Sequence, residues 1–213
     1  MDYISPSILS ADFTQMSKAI NLIEDSGADW IHCDVMDGLF VPNITFGQKM
    51  VADIRKITKL TLDVHLMIEN PIRYVDDFVK SGADIITFHY EATNDVEKTI
   101  SKIKSCGVKC GISVKPNTPI ETVIPYLDKI DMILIMSVEP GFSGQKFMPI
   151  ALDKLKVIRE LNKTILLQVD GGITIETFKL AKAAGANSFV MGNAFFKSEN
   201  PKETVSNIKS IQI

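Results

Sequence analysis

Short apolar, β-branched runs recur along the chain, starting near Ile4, Asp29, Thr61, Asp84, Val108, Asp131, Thr164 and Ala186. A stretch of helical periodicity follows each. Met16, Ala19, Ile20 and Ile23 are spaced i, i+3, i+4 and i+7, one face of a helix, and Ile72, Val75, Phe78 and Val79 repeat that spacing. The punctuation agrees. Asn70-Pro71, Thr118-Pro119 and Asn200-Pro201 each set a capping side chain before a proline, whose missing N–H costs nothing at the first helical position. Glu121 and Glu203 stand where a capping box needs them. Gly27, Gly82, Gly107 and Gly185 are placed to stop helices in the left-handed conformation. The tetrapeptide Ser-Gly-Ala-Asp occurs at 26–29 and again at 81–84, each time just before a strand.

Eight strand–helix units imply a parallel sheet, because parallel neighbours need a crossover. The pattern predicts an α/β fold, a (β/α)8 TIM barrel, with residues 1–213 as one domain. A doubly wound open sheet would usually carry a Gly-rich turn after its first strand. The chain reads Ser5-Pro6-Ser7-Ile8-Leu9-Ser10 there. No linker or low-complexity segment marks a second domain.

Composition narrows the function classes. With 23 Lys+Arg against 26 Asp+Glu, the net charge of −3 gives no overall basic footprint for nucleic acid or anionic lipid. The longest uncharged run, Ala183–Phe196, is 14 residues with Gly, Asn and Ser inside it, too short and polar to span a bilayer. The N-terminus lacks the basic and apolar regions of a signal peptide. Three cysteines, Cys33, Cys106 and Cys110, without CxxC spacing, are expected as free thiols of a cytoplasmic protein.

In such a barrel the chemistry lies at the C-terminal ends of the strands. All three histidines are expected there: His32, His65 and His89 end the second, third and fourth strands. Residues two apart share a face, so His32 with Asp34, and Asp63 with His65, point inward while Cys33 faces the helices. Inward imidazoles and carboxylates must neutralise one another or bind a cation. Two His and two Asp suit Zn²⁺, with Mn²⁺, Fe²⁺ or Co²⁺ as alternatives. A metal-free hydrogen-bonded network satisfies the same spacing. Gly-bearing loops follow the late strands at 140–145, 170–173 and 191–194, and jointly favour a phosphorylated small molecule. Met36, Met67 and Met136 fall at or just past strand ends, as core filling or as an apolar shelf.

Several of these segments resemble the ribulose-phosphate 3-epimerase family. They are Pro6–Phe13, His32–Gly38, Phe40–Asn43, Asp63–Met67, Met136–Phe142 and Val169–Ile173, in order and at the family's spacing. The resemblance implies interconversion of D-ribulose 5-phosphate and D-xylulose 5-phosphate through an enediolate. It implies a divalent metal, zinc first with Fe, Mn or Co as alternatives, on His32, Asp34, His65 and Asp170, and no nucleotide cofactor. Asp34 and Asp170 would be the acid/base pair. Ser7, His65, Gly141, Phe142, Ser143, Gly144, Gly171, Gly172, Gly192 and Asn193 would meet the sugar phosphate. Met36, Met67 and Met136 would form the shelf, and a homo-oligomer is expected. His89 matches no ligand position and is expected on the rim. The chain departs from the family pattern at Lys115, usually Asn, at Ser143, usually Gly, and at Asn193, usually Ser. Lys115 adds a rim charge and Ser143 stiffens a loop expected to close over substrate. The rivals are an allulose-6-phosphate 3-epimerase, a ketogulonate-phosphate-type decarboxylase and a non-catalytic sugar-phosphate binder.

Overall fold

The structure, a computed structural model, describes residues 2–213. Eight parallel strands form one ring: β1 Tyr3–Pro6, β2 Trp30–Met36, β3 Thr61–Met67, β4 Ile85–His89, β5 Lys109–Val114, β6 Met132–Met136, β7 Leu166–Asp170 and β8 Ser188–Met191. The helices are α1 Met16–Ser26, α2 Gln48–Ile57, α3 Val75–Lys80, α4 Val96–Ser105, α5 Ile150–Leu161, α6 Ile175–Ala183, α7 Asn193–Phe196 and α8 Pro201–Ser210. From β2 to β8 each strand pairs with the next, and β8 pairs with β1. Between β1 and β2 the ring closes through a single bridge, Ser7 to His32. The chain is a (β/α)8 barrel.

One crossover departs from the sequence expectation. Between β5 and β6 there is no α-helix, only two short 3₁₀ turns, Ile120–Thr122 and Ile124–Tyr126. Pro116, Pro119 and Pro125 interrupt this stretch, and proline removes the N–H that an i→i−4 ladder needs. Of the three predicted caps only Asn200 works, its side chain accepting from the Glu203 amide. Asn70 caps nothing, and the Thr118 hydroxyl is spent on Glu91. A capping box forms instead at Thr174 and Thr177. The four predicted stop glycines all have positive φ.

The recurring Gly-Ala-Asp has a structural cause. Asp29 and Asp84, joined by Asp131, each clamp one residue of the preceding odd-numbered strand twice. Their carboxylates accept from the amides of Ile4, Leu62 and Cys110 at 2.8 Å in each case. Their own amides donate back to the carbonyls of the same residues at 2.9, 3.0 and 2.8 Å. Asn187 does the same to Leu167. Four pairs of strands, β1–β2, β3–β4, β5–β6 and β7–β8, are thereby pinned at the N-terminal end of the barrel, away from the chemistry.

Strand parity sorts the side chains. In β2, Ile31, Cys33 and Val35 belong to the large apolar core between strands and helices, while Trp30, His32, Asp34 and Met36 point inward. The inward side chains are layered. Trp30, Ile85 and Met132, with Tyr3 stacked on Trp30 at 4.6 Å, plug the N-terminal end. Above them lies a fully buried polar layer containing Ser5, His32, Asp63, Thr87, Gln168 and Ser188.

Candidate active site

At the C-terminal end of the ring one potential ligand atom from each of His32, Asp34, His65 and Asp170 lies within 4.8 Å of the others. Register assembles them. β2 pairs with β3 so that His32 sits beside Asp63, Asp34 beside His65, and Met36 beside Met67. Met136 of β6 sits beside Asp170 of β7. His32 and His65 do not end their strands as expected. They lie inside β2 and β3, which run on to the methionines, so both imidazoles are fully buried.

Hydrogen bonding fixes which nitrogen faces the cluster. His32 Nδ1 donates to Asp63 Oδ2 at 2.8 Å, and Gln168 Nε2 donates to the same oxygen at 2.7 Å. A carboxylate only accepts, so the His32 proton sits on Nδ1. The Nε2 atom is buried without a hydrogen-bond partner, 3.3 Å from Asp34 Oδ1 and 3.7 Å from Asp170 Oδ2. His65 Nδ1 lies 3.1 Å from Asp34 Oδ1 and 4.0 Å from Asp170 Oδ2. Ser7 Oγ donates to Asp34 Oδ2 at 2.5 Å, leaving Oδ1 toward the imidazoles. Ser137 steadies the end of β7 by donating from its hydroxyl to the carbonyls of Asp170 and Gly171 at 2.8 and 2.7 Å.

The electrostatics call for positive charge. Burial opposes protonation of His32, yet the Asp34 and Asp63 carboxylates raise its pKa well above the ordinary imidazole value. Burial likewise opposes ionisation of Asp34, but His32 and His65 hold it well below the usual carboxylate range. Asp170 goes the other way, up to about 7, through burial first and repulsion from Asp34 second. The forces that would draw a second proton onto His32 equally draw a cation. An orphaned imidazole nitrogen facing two carboxylates, with a second imidazole beside them, fits one divalent ion of the N/O-ligated type.

A cavity of about 240 Å³ opens above the cluster. Asp34 and Asp170 reach it from below, Met36, Met67 and Met136 line it with sulfur and methyl groups, and Ser7 lies at its edge. The loop after β6 contributes Gly141, Phe142, Ser143 and Gly144, and the β7 and β8 loops contribute Gly171, Gly172, Gly192 and Asn193. His32 and His65 lie beneath and do not line it. A Cβ on Gly144 would stand 2.7 Å from Asn193 Nδ2, so the β6 and β8 loops touch there. Ser10, Glu139 and Thr174 also line the cavity and were not expected as site residues, although Ser10 and Glu139 fall within the family-like segments Pro6–Phe13 and Met136–Phe142. Lys115 is absent from the lining, its ammonium lying over the Phe40 ring at 4.1 Å.

His89 corrects the sequence reading. It is fully buried rather than on the rim, and its Nε2 lies 2.9 Å from His65 Nε2. Its Nδ1 lies 3.2 Å from Glu91 Oε2. Burial pushes His89 down to about 4. Burial raises Glu91, but hydrogen bonds from His89, Thr118 and the Lys115 amide outweigh it and hold the carboxyl at about 2. Glu91 was not anticipated. The signal available was a carboxylate two residues beyond a strand-end histidine.

A parallel (β/α)8 barrel with two histidines and two aspartates converging under a cavity at its strand ends has the make-up of a barrel enzyme, with acid–base groups beside a place for a cation. The family model described as the ribulose-phosphate 3 epimerase family matches residues 3–196, and the chain belongs to that family. It is an epimerase, within the isomerase class. Ribulose-phosphate 3-epimerase of Bacillus subtilis (strain 168) is 46% identical over 211 residues, covering 97% of each chain. The cytoplasmic isoform of ribulose-phosphate 3-epimerase from Oryza sativa subsp. japonica is 41% identical over 210 residues, 97% of this chain and 92% of its own. Among solved structures, KGPDC from Streptococcus mutans superposes with a TM-score of 0.76 at 15% identity, covering 98% of this chain and 96% of that one. At that identity the likeness is one of fold. Among the described residues no helix is long and apolar enough to cross a membrane.

Proposed function

We propose that the chain interconverts D-ribulose 5-phosphate and D-xylulose 5-phosphate by inverting carbon 3, with Asp34 and Asp170 as the acid/base pair. One observation carries the reading: two carboxylates from strands three steps apart in the ring, β2 and β7, reach the floor of one cavity. Three steps are roughly 135° in an eight-stranded barrel, which sets the two groups on different sides of a flat intermediate. In one direction the first carboxylate takes the C3 proton and the electron pair enters the C2–C3 enediolate. The second then delivers a proton to the opposite face of C3. Met36, Met67 and Met136 give the planar intermediate an apolar surface that holds no competing proton donor.

His32, Asp34, His65 and Asp170 would hold a divalent ion, zinc first, with Fe, Mn or Co as alternatives. When bound, that ion supplies positive charge that stabilises the enediolate. The backbone amides at Gly171, Gly172, Gly192 and Asn193 would take the phosphate and Ser7 would meet the sugar end, whereas His65, expected as a substrate contact, lies beneath the cavity and would act only through the ion. The loop Gly141–Gly144 would close over the substrate and exclude water. No nucleotide cofactor enters this chemistry. The three unpaired cysteines suit a reducing cytoplasm.

The deciding assay supplies purified protein with D-ribulose 5-phosphate and D-allulose 6-phosphate, following epimers and CO₂. Preferred epimerisation of the pentose phosphate without CO₂ is the expected result. A preference for the hexose phosphate, or decarboxylation, would overturn the proposal.

A further inference from the structure

The loop after β6 is seated at its foot, where the Met148 amide donates to the Ser137 carbonyl and Phe147 lies against Gly172. Its outer part is held differently. Between Val138 and Phe147 no residue belongs to a helix or strand, and among the described residues no backbone–backbone hydrogen bond begins or ends there. Gln145 staples the segment to itself, so it keeps its shape as a unit. Two side chains from elsewhere reach it. Asn117 Nδ2 lies 3.4 Å from Glu139 Oε1 in an exposed position, whereas Asn43 Nδ2 donates to the Gly141 carbonyl at 2.8 Å in a partly buried one. The short bond comes from the loop after β2.

That loop is a stiff arch. Asp37 Oδ1 accepts from the Leu39 and Phe40 amides at 2.9 and 3.0 Å, and Oδ2 accepts from the Glu69 amide at 2.7 Å. Asp37 and Ile44 form an antiparallel bridge. Thr45 Oγ1 accepts from the Met36 amide at 3.0 Å and donates to the Asp34 carbonyl at 2.7 Å. Both feet of the arch therefore stand on β2, one of them on the backbone of Asp34. At the crown, a Cβ on Gly141 would stand 3.5 Å from Val41 Cβ and 3.8 Å from Pro42 Cδ, so the two loops touch beside the hydrogen bond. A carbonyl oxygen only accepts, so Asn43 must present its amide nitrogen there.

We propose that Asn43 is a positioning residue, the latch that holds the β6 loop against the β2 arch and sets how often the cavity opens. The inference rests on the sugar-phosphate reading of that cavity. Gly141 to Gly144 line the cavity, but Asn43 does not. Its bond joins wall to arch without touching what the cavity contains, so it stabilises the shut loop equally whether the cavity is filled or empty. Such a bond leaves affinity unchanged while the shut form prevails in both states. It slows entry and exit by the same factor. A neutral hydrogen bond of this kind is worth about 2–12-fold in an equilibrium.

Asn43→Ala removes the latch, and Asn43→Asp keeps its shape while replacing the donor by a carboxylate. Lys146, exposed within the loop, offers trypsin a cleavage site that reads loop opening without added ligand. Cleavage there should be about 2–12-fold faster in both variants, with the melting temperature and cleavage elsewhere unchanged. The ³¹P NMR line shape of D-arabinitol 5-phosphate, a polyol without the carbonyl and so inert, reads passage in and out of the cavity. Its entry and exit rates should rise together by the same factor, with Kd unchanged. An unchanged cleavage rate at Lys146, unchanged exchange rates, or a weaker Kd without faster entry would each overturn the proposal. So would a lower melting temperature with faster cleavage at every exposed lysine, which marks a merely structural residue. Should Asn43→Ala fail to fold, Asn43→Asp decides by the same readings. Should wild type not bind the polyol phosphate, the substrate reading falls by itself, and cleavage at Lys146 alone judges the latch.

Discussion

Gly172 offers a quantitative check on how tightly the loop after β6 is seated over the site. Its φ is +62°, and a Cβ built there would stand 2.4 Å from the Phe147 amide nitrogen, 2.9 Å from Phe147 Cα and 3.1 Å from the Gln145 carbonyl oxygen. These are backbone atoms that cannot rotate aside. The loop is also tethered: the Met148 amide donates to the Ser137 carbonyl at 2.8 Å, and Gln145 Nε2 donates to the carbonyls of Glu139 and Phe142 at 2.6 and 2.9 Å. Gly27, at the end of α1, has a similar φ of +76°, with nothing within 4 Å of where a methyl group would stand. Gly27→Ala should therefore report backbone strain alone, about 1 kcal/mol after the loss of unfolded-chain entropy is counted. Gly172→Ala should add an overpacking cost of about 1–3 kcal/mol, for a total of about 2–4 kcal/mol. Urea unfolding followed by circular dichroism compares the two, and the KM for ribulose 5-phosphate should rise only in Gly172→Ala. If the two variants lose the same stability to within about 0.5 kcal/mol, the loop yields freely and the seating deduced from the contacts is wrong.

Further expectations concern the chemistry and the thiols. In Asp170→Asn with its metal content verified, epimerisation should fall by several orders of magnitude, while exchange of the C3 hydrogen with deuterated water survives better for one epimer. Asp34→Asn should reverse that preference, and equal loss from both epimers in both variants would point to a single shared base. Ribulose without its phosphate should be a very poor substrate, with part of the loss in kcat, because remote binding energy helps to orient the reacting carbon; comparable kcat/KM would remove Gly171, Gly172, Gly192 and Asn193 from the phosphate role. Cys33 and Cys110 are buried, and burial together with the Asp131 carboxylate pushes the Cys110 thiol up to about 12. At pH 8 only Cys106 should react quickly with an aromatic disulfide reagent in the folded protein, and a second fast thiol would contradict the packing around β2 and β5.

The sequence by itself determined the eight strands, because their signals are local. Runs of β-branched residues, period-3.6 faces and stop glycines depend on near neighbours along the chain, and each strand begins within two residues of where those runs place it. Parity along β2 and β3 is equally local, so the alternation of residues alone sets His32, Asp34 and His65 on the inward face. The glycine loops were legible from their place after the late strands, and the family motifs then gave Asp170 its role. Failure came where a local signal competes with another local rule, as in the β5–β6 crossover, where three prolines suppress the expected helix.

What only the tertiary structure decided is who meets whom across strands. Inter-strand register brought His32 against Asp63 and Asp34 against His65, and the closure of the ring carried Asp170 from β7 to within 3.7 Å of His32. The same closure buried His89, which by position alone belonged on the rim, and joined it to Glu91 and through Glu91 to the loop held by Lys154. Propensity and periodicity say which face a side chain takes. The pairing of buried acceptors and donors over long stretches of chain is set by how the sheet twists and closes, and no local signal carries that.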